Sequence, residues 1–537
     1  MTGAQAMVKA LECEGASLVF GYPGAAICPF FDALALEGLQ LILVRQEQNA
    51  AHAASGYARV TGAPGVCAVT SGPGATNLIT GLATAYMDSI PLIAITGQVR
   101  SELIGRDVFQ EADITGAAEP FCKHSYLVKD AQELPRIFKE AFYIASTGRP
   151  GPVLIDVPVD VQTAQLDFAY PKEAAIRGYR PSARGHALQI KRAAEAVFYA
   201  KRPVICAGGG VFASKAQQEL AGFAEKCAIP VVTTMMGIGA LPTCHPLHLG
   251  MLGTHGRAAA NRAIHEADLL VICGARVGDR AMAAPGQIAQ RARIIHIDID
   301  PAEIGKNIET EIPIVGDLRL VLRDLAARAQ RGDTEEWVRY TTALAANLKA
   351  PAQPRPGFIE PRSFIRLLSE RMRPDAVLVA DVGQNQIWAA NNVIMCGGRF
   401  LTSGGMGTMG YAIPAALGVI SAQPSRQVVA VCGDGSFQMS MMELATIMQQ
   451  HAPLKVIVMR NDRLGMVCEL QKDLYGKRYV ATTLDGNPDF IALAAAYGIA
   501  GARLCDSARA GEAIGALLEG AGPYLLECAV DPEESSF

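Results

Sequence analysis

Val428-Val-Ala-Val-Cys-Gly-Asp-Gly-Ser436 and, one helix-length later, Lys455-Val-Ile-Val-Met-Arg-Asn461 decide how this chain folds. Each opens with a short, continuous run of apolar and β-branched residues. Such runs predict strands buried on both faces of a parallel sheet, whereas a half-exposed strand would alternate. The stretch between them has helical composition, so the pair reads as a βαβ unit with its two strand ends side by side. Gly433 and Gly435 permit a tight turn and close backbone approach, and the free N–H groups that open the following helix suit a phosphate. Asp434 can offer a hard oxygen to a divalent cation, and Asn461, 27 residues on, an amide oxygen. With a nearby backbone carbonyl, two phosphate oxygens and water, these make an octahedral Mg²⁺ site. A lone G-D-G-S is an ordinary turn; Asn461 at this separation and in this strand context is what raises it above one.

The same alternation of short apolar runs and Ala-rich helical stretches extends outward through the whole chain, which predicts α/β architecture. In the first third the strands are expected at Leu18–Gly21, Leu41–Arg45, Val66–Thr70, Leu92–Thr96 and Val153–Val157. In the middle they are expected at Pro203–Ala207, Pro230–Thr233, Leu269–Cys273 and Ile294–Ile297. The last third adds Val377–Val382, Val428–Val431, Lys455–Met459 and Tyr524–Ala529. A polar, Pro-bearing stretch near Tyr170–Arg184 reads as a linker. A charged helical segment, Leu318–Lys349, leads into a second, Ala350-Pro-Ala-Gln-Pro-Arg-Pro-Gly357. The prediction is three doubly wound parallel-sheet domains over residues 1–168, 186–330 and 359–537.

The length of 537 residues suits three domains, and 50% hydrophobic against 19% charged residues gives each one material for a core. A net charge of −4 without a basic block argues against nucleic acid as a partner. The uncharged stretches Val60–Met87 and Leu401–Ser425 are rich in Gly, Ser, Thr and Pro, so they read as buried loop–helix segments and not as membrane spans. No basic segment followed by an apolar one opens the chain, so a cytoplasmic protein is expected. The 13 cysteines include no C-x-x-C, and many sit in apolar strands, which predicts reduced, buried thiols. His245-x-x-His248 lies in a Pro-rich loop without a carboxylate ligand and is not read as a zinc site.

Ligands of open parallel sheets sit beyond the carboxyl ends of strands. In the first third those loops are Gly21–Gly24, Arg45–Gln48, Thr70–Asn77 and Thr96–Gln98; in the last they are Asp381–Gln384, Thr402–Gly405, Gly433–Ser436 and Arg460–Asp462. The middle third has its own Gly208-Gly-Gly210. One ligand shared by the outer domains and a second on the central one is the expectation.

These loops carry a resemblance. Gly433-Asp-Gly435 with Asn461 resembles the thiamine diphosphate fingerprint. GYPG (Gly21–Gly24), RQEQNAAHAASGYAR (Arg45–Arg59), TSGPGATN (Thr70–Asn77), RPGPVLIDVP (Arg149–Pro158), TSGGMGTMGYAIPAALG (Thr402–Gly418), GDGSFQM (Gly433–Met439) and RLGMV (Arg463–Val467) look like acetohydroxyacid (acetolactate) synthase, in order and across all three thirds. The resemblance implies a pyrimidine-binding, a central nucleotide-binding and a diphosphate-binding domain. It implies thiamine diphosphate, Mg²⁺ and FAD as cofactors, 2-oxo acids as substrates, a homodimer or homotetramer, and the company of a small regulatory subunit, with neither nucleic acid nor membrane involved.

Residue by residue, the match to Glu47 implies a carboxyl that bonds the cofactor's aminopyrimidine and exchanges a proton with it. That chemistry needs burial to raise its pKa. Tyr22, Gly24, Thr70, Gly72 and Asn77 match the pyrimidine side of the cofactor site. Gln384, Asn385, Gly433, Asp434, Gly435, Ser436, Asn461, Gly465 and Met466 match the diphosphate side, and Met409 the bulky residue that bends the cofactor. Asp434, Asn461 and the Arg463 carbonyl match the metal ligands. Phe109 and Gln110 match the substrate side, and Arg280 the guanidinium that takes the second oxo acid's carboxylate, a pairing suited to a bidentate fork. Arg149, Gly208, Gly209, Gly210 and His255 match FAD contacts, as do Gly274, Arg276, Asp298 and Asp317.

The sequence departs from the family at several points. Asn385 stands for a His, Ala25 for a Gly, Val159 for a Lys and Thr254 for a Met. Leu470 replaces a Trp tied to the larger acceptor, Cys468 an Arg, and Val277-Gly278-Asp279-Arg280 a Phe-Asp-Asp-Arg. The sequence also stops at Phe537, short of the segment that folds over the site in the family, so a more open site is one reading. Acetolactate synthesis from pyruvate leads. Another thiamine diphosphate decarboxylase or carboligase with a different acceptor is the alternative, and an oxidoreductase built on Gly208–Gly210 stands further off because no G-x-G-x-x-G opens a helix there.

Overall fold

The computed structural model describes residues 1–346 and 353–537. Among these, three six-stranded sheets follow one another, every strand pairing parallel to its neighbours. The first sheet holds β1 (Leu18–Tyr22), β2 (Gln40–Leu43), β3 (Gly65–Val69), β4 (Leu92–Gln98), β5 (His124–Leu127) and β6 (Pro152–Pro158), in the order β2-β1-β3-β4-β6-β5. The second holds β7 (Pro203–Ala207), β8 (Val231–Thr233), β9 (His248–Met251), β10 (Leu269–Cys273), β11 (Arg293–Asp298) and β12 (Ile312–Val315), ordered β12-β11-β10-β7-β8-β9. The third holds β13 (Val377–Ala380), β14 (Arg399–Leu401), β15 (Val428–Gly433), β16 (Lys455–Arg460), β17 (Ala500–Leu504) and β18 (Tyr524–Ala529), ordered β14-β13-β15-β16-β18-β17.

The chain leaves each sheet's centre in both directions, and the crevice where it does so is where ligands bind in such folds. In the first sheet that switch point lies between β1 and β3, in the second between β7 and β10, and in the third between β13 and β15. The loops that leave these six strands are Gly21–Gly24, Thr70–Asn77, Gly208–Gly210, Gly274–Arg276, Asp381–Gln384 and Gly433–Ser436. The fold thus collects most of the Gly-rich cradles read in the sequence at three crevices.

The central strands are apolar throughout because helices cover both faces; β3, β4, β7 and β10 are buried along their whole length. One hydrophobic core runs continuously from the first sheet into the third, joining Leu18 and Ile42 to Leu417 and Leu525. Its hinge is the crossing of helix Glu47–Thr61 on helix Ala412–Ala422. A Cβ on Gly56 would overlap the Ala415 carbonyl, and one on Gly418 the Ala53 carbonyl. Small residues let the two backbones touch, and Ser55 Oγ and Tyr411 Oη lie 3.2 Å apart beside them.

Cys244, in the loop before β9, and Cys396, in the loop before β14, face each other with Cα atoms 6.0 Å apart. They are 152 residues apart in sequence, and only the packing of the second domain on the third brings them together. Thr243 and Met395 hydrogen-bond beside them, backbone N to backbone O at 2.9 Å and backbone N to Oγ1 at 2.7 Å. Cys67, Cys206, Cys273, Cys432 and Cys528 are buried free thiols. No helix among the described residues is long and apolar enough to cross a membrane. The first linker, Tyr170–Arg184, contains neither helix nor strand; the start of the second, Ala350–Ala352, lies outside the described residues.

Candidate active site

Glu47 opens the helix Glu47–Thr61 just beyond β2. Its Oε2 accepts from Asn77 Nδ2 at 2.9 Å, and its Oε1 lies 3.4 Å from where a Cβ on Gly74 would stand. Asn77 ends the short helix Pro73–Asn77 that follows β3, so two strand ends deliver the pair. Gly24 presses on the Thr70 side chain so closely that a Cβ would collide with it, and Thr70 Oγ1 accepts from Ala26 N at 3.3 Å. Gly72, at φ +58°, leaves room for the Gln110 backbone, which would meet a Cβ at 2.9 Å. Gln110 itself sits at φ +60°, a region that side chains avoid. Phe109 beside it is 86% exposed, and Tyr22 is exposed at the end of β1. Within its own chain Glu47 is half-buried and not sealed as expected.

The second cluster lies at the β13–β15 switch point. Gly433 pairs with Met459 in register, which sets Asp434 beside the Arg460–Asp462 loop. Asp434 is buried, and its carboxylate accepts from Asp462 N at 2.8 Å, Asn487 Nδ2 at 2.9 Å and Gly435 N at 3.1 Å. Burial pushes its pKa up to about 6, the three donors opposing and the Asp462 charge adding. Asn461 gives Nδ2 to Gln384 Oε1 at 2.9 Å and takes Arg463 N on Oδ1 at 3.2 Å. A Cβ on Gly465 would overlap Gln384 Oε1, so a larger residue there would push the Gln384 amide aside. Met409 reaches over Gly435, its Cε 3.6 Å from where a Cβ would stand. Met466 follows Gly465 in the helix Gly465–Leu474. Ser436 Oγ turns back onto Gly433 N at 3.0 Å, and Asn385 spends its amide on the Asp381 and Val431 carbonyls at 2.8 and 3.2 Å.

A single carboxylate with amide and carbonyl oxygens is a donor set for a hard cation that also binds phosphate. Asp434, Asn461 and the Arg463 carbonyl therefore fit Mg²⁺ held jointly with a diphosphate, over a loop whose glycines leave room for that group. The Arg463 side chain points away, to Glu533 at 2.7 Å. The end of the chain covers this cradle: Gln384 Nε2 donates to Glu469 at 3.0 Å and to the Glu534 carbonyl at 2.8 Å, Trp388 Nε1 to the Ser535 carbonyl at 2.8 Å, and Ser536 Oγ to Glu469 at 2.7 Å.

In the central crevice Gly208 and Gly210 pack on Gly274, each within overlap distance of a Cβ on the other side. Three strand-end glycines thereby bring β7 and β10 loops into contact, and Gly209 abuts Met236. Asp298 ends β11 with Oδ1 on Asp300 N at 2.9 Å, and burial lifts its pKa to about 6. Thr233 Oγ1 at the end of β8 and both His296 ring nitrogens on β11 are buried without a partner among the described residues. This polar, Gly-walled crevice fits a dinucleotide. Asp317 instead caps the helix Leu318–Arg328 through Leu320 N at 3.1 Å. Arg149 bridges domains, to Glu303 at 2.8 Å and Asp300 at 3.3 Å. The Arg276 guanidinium lies against Gly405. The His255 ring stacks on Phe537, centroids 5.2 Å apart, and burial together with the Arg280 charge lowers its pKa. Arg280 is exposed, 3.7 Å from Asp279.

Several supporting residues were given no role by the sequence reading. Asp381, fully buried, accepts from Gly410 N at 2.9 Å and Ala412 N at 2.8 Å, pinning the Met409 loop; burial raises its pKa to about 6. Glu443 accepts from Arg45 N at 2.8 Å and Asn49 Nδ2 at 2.9 Å, which anchors the Glu47 helix to the third domain. Asp156 takes Thr96 Oγ1 at 2.6 Å and Gln98 Nε2 at 2.9 Å, and burial lifts its pKa to about 7. Gln98 also holds the Ala112 carbonyl at 2.9 Å, just beyond Gln110.

Three Gly-lined switch points, one with a buried Asp–Asn pair and another with a Glu–Asn pair, define a thiamine diphosphate-dependent enzyme. The comparisons agree: residues 1–117 match the thiamine pyrophosphate enzyme N-terminal TPP binding domain, 190–325 its central domain and 381–528 its C-terminal TPP binding domain. The chain is 47% identical to the acetolactate synthase large subunit of Corynebacterium glutamicum, over 94% of this chain and 82% of that one. It is 45% identical to an acetolactate synthase of Arthrospira platensis (100% and 95% covered) and 42% to the isozyme 2 large subunit of Escherichia coli (100% and 96%). The chain belongs to the acetolactate synthase large-subunit family.

Proposed function

We propose that this enzyme decarboxylates pyruvate and joins the two-carbon fragment to a second 2-oxo acid, pyruvate or 2-oxobutyrate, in branched-chain amino acid biosynthesis. The observation that carries the reading is the convergence of Asp434 and Asn461 at adjacent strand ends with the Glu47–Asn77 pair at the other domain's crevice. Thiamine diphosphate, when bound, supplies the carbon nucleophile and the electron sink that decarboxylation requires. Asp434, Asn461 and the Arg463 carbonyl would hold Mg²⁺, with Gln384, Gly433, Gly435 and Gly465 around the diphosphate and Met409 as the wall beneath it. Asn77 engages one oxygen of Glu47, leaving the other to hold or pass a proton. Gln110, fixed over Gly72, and Phe109 would flank the incoming oxo acid, and the Arg280 guanidinium would take the acceptor's carboxylate. FAD would lie in the central crevice, against Gly208–Gly210, Gly274 and Asp298.

The reading includes domains over residues 1–168, 186–330 and 359–537, a cytoplasmic setting and a small regulatory subunit, the last suggested by relatives named large subunits. It also includes a dimer as the smallest active unit. Among the described residues no hydrogen bond joins the Glu47 cluster to the Asp434 cluster within one chain. Tyr22, Phe109, Met406 and Met439 stand exposed around the two half-sites, apolar surface that a second copy would cover.

Product analysis tests the activity. With pyruvate, thiamine diphosphate and Mg²⁺, about one acetolactate should form per CO₂ released, since the electron sink serves both steps. Added 2-oxobutyrate reports the acceptor choice where Leu470 replaces the family's Trp. Acetaldehyde without acetolactate would make the enzyme a decarboxylase and remove the role given to Arg280.

A further inference from the structure

The Arg399 guanidinium is left without a hydrogen-bond or ion-pair partner among the described residues. Arg399 opens β14, and its guanidinium carbon lies 3.8 Å from the ring centre of Phe212 in the central domain. Its Nε is sealed from solvent without a hydrogen-bond partner, and no carboxylate among the described residues offsets its charge. Burial, then the charges of Arg59 and Arg426, drag its pKa down to about 9. Arg59 is neutralised by Asp88 at 2.5 Å, whereas Arg426 feels only the Asp375 carboxylate, which it shares with Arg373. The Arg426 Nε goes to the Asp375 carbonyl at 2.5 Å and its Nη1 to Gln423 Oε1 at 2.6 Å, while the Asp375 carboxylate is paired with Arg373 at 3.4 Å. Arg399, Arg426 and Arg373 therefore have the single Asp375 carboxylate among them, and the excess positive charge is costly for the sealed Arg399 unless something else supplies negative charge.

Arg399 and Arg426 line a cavity of about 420 Å³, together with Val60 from the first domain and Phe212, Gln217 and Gln218 from the central one. Val60 sits at the far end of the helix that Glu47 opens, about 20 Å away at 1.5 Å per residue, so this cavity is separate from the catalytic cradle. Guanidinium groups only donate, and a ligand there must bring acceptors. A carboxylate would balance one of the two charges, whereas a phosphate monoester carries about −1.5 to −2 and three acceptor oxygens. The cavity is larger than a bare phosphate needs, and the two glutamines offer both donors and acceptors to an organic remainder. We propose that this three-domain junction binds a phosphate monoester of a small organic molecule, its phosphate held by Arg399 and Arg426.

The test uses the holoenzyme saturated with thiamine diphosphate, Mg²⁺ and FAD, so that the groups binding those phosphates are already filled. Calorimetric titration compares ribose 5-phosphate, inorganic phosphate and acetate. The expected result is binding of ribose 5-phosphate, weaker binding of inorganic phosphate and none of acetate. Arg399→Gln and Arg426→Gln should each weaken ribose 5-phosphate at least about tenfold, the scale of a lost charge-assisted pair. Should Arg399→Gln fail to fold, the partly exposed Arg426 carries the comparison. Absence of heat with both phosphates, equal binding of acetate, or unchanged affinity in the folded variants would each overturn the assignment.

Discussion

Among the described residues, one polar side chain hydrogen-bonds Glu47, the Asn77 amide 2.9 Å away. A Glu→Gln change there preserves shape and the contact with Asn77 while removing the proton acceptor. The expected result is a kcat lowered at least about tenfold, the scale of losing a proton-transfer partner, with folding and cofactor content retained. Steady-state kinetics on a variant with verified thiamine diphosphate content decides it; near-full turnover would remove Glu47 from the mechanism. At this scale the sequence was most readable where side chains gather at strand ends, as with Asp434 and Asn461, whose spacing reflects one βα crossover. It assigned no role to Asp156, Asp381 or Glu443. Each is a buried carboxylate, and the loops it secures come from elsewhere in the chain: Asp381 serves Gly410 and Ala412, and Glu443 serves Arg45 and Asn49. A lone acid beside an apolar run looks like a surface residue until the fold shows what it holds. Glu47 is only half-buried within its own chain.

Among elements, every strand expected from an apolar run is present, and five others were not foreseen: β5, β9, β12, β14 and β17. All five are edge strands. An edge strand has one neighbour and less cover, so it has no need of a continuous apolar run; His124–Leu127, for instance, is only partly buried or exposed along its length. The crossing of helices Glu47–Thr61 and Ala412–Ala422 was equally invisible, although its cause is in plain sight as Gly56 and Gly418. Gly56→Ala or Gly418→Ala should each cost about 1–3 kcal/mol, the usual penalty of overpacking, because the added methyl meets a backbone carbonyl and no movable side chain. Thermal or denaturant unfolding checks this, and Gly222→Ala, where a Cβ meets nothing within 4 Å, is the control that should cost nothing by this route. An unchanged midpoint in both crossing variants would mean that the domains part easily there.

For the whole molecule the decisive question is whether one chain builds a complete site. Glu47 and Asp434 lie in different domains that share a core yet exchange no hydrogen bond between their two clusters, and exposed Phe109 and Met439 stand beside them. Two-fold symmetry offers a direct test, because a symmetric dimer pairs the first domain of each chain with the third domain of the other. Glu47→Gln and Asp434→Ala are each expected to be nearly inactive alone. When the two variants are mixed and allowed to exchange subunits, a mixed dimer carries both lesions in one site and neither in the other. Random exchange makes about half of the dimers mixed, so about one quarter of wild-type activity should return. Dilution below the dimer's dissociation constant should then remove activity and bound thiamine diphosphate together, since the cofactor stabilises the form that binds it. If the mixture stays inactive after exchange is verified by mass, each site is built within one chain, and the exposed apolar residues around the crevices must have another role.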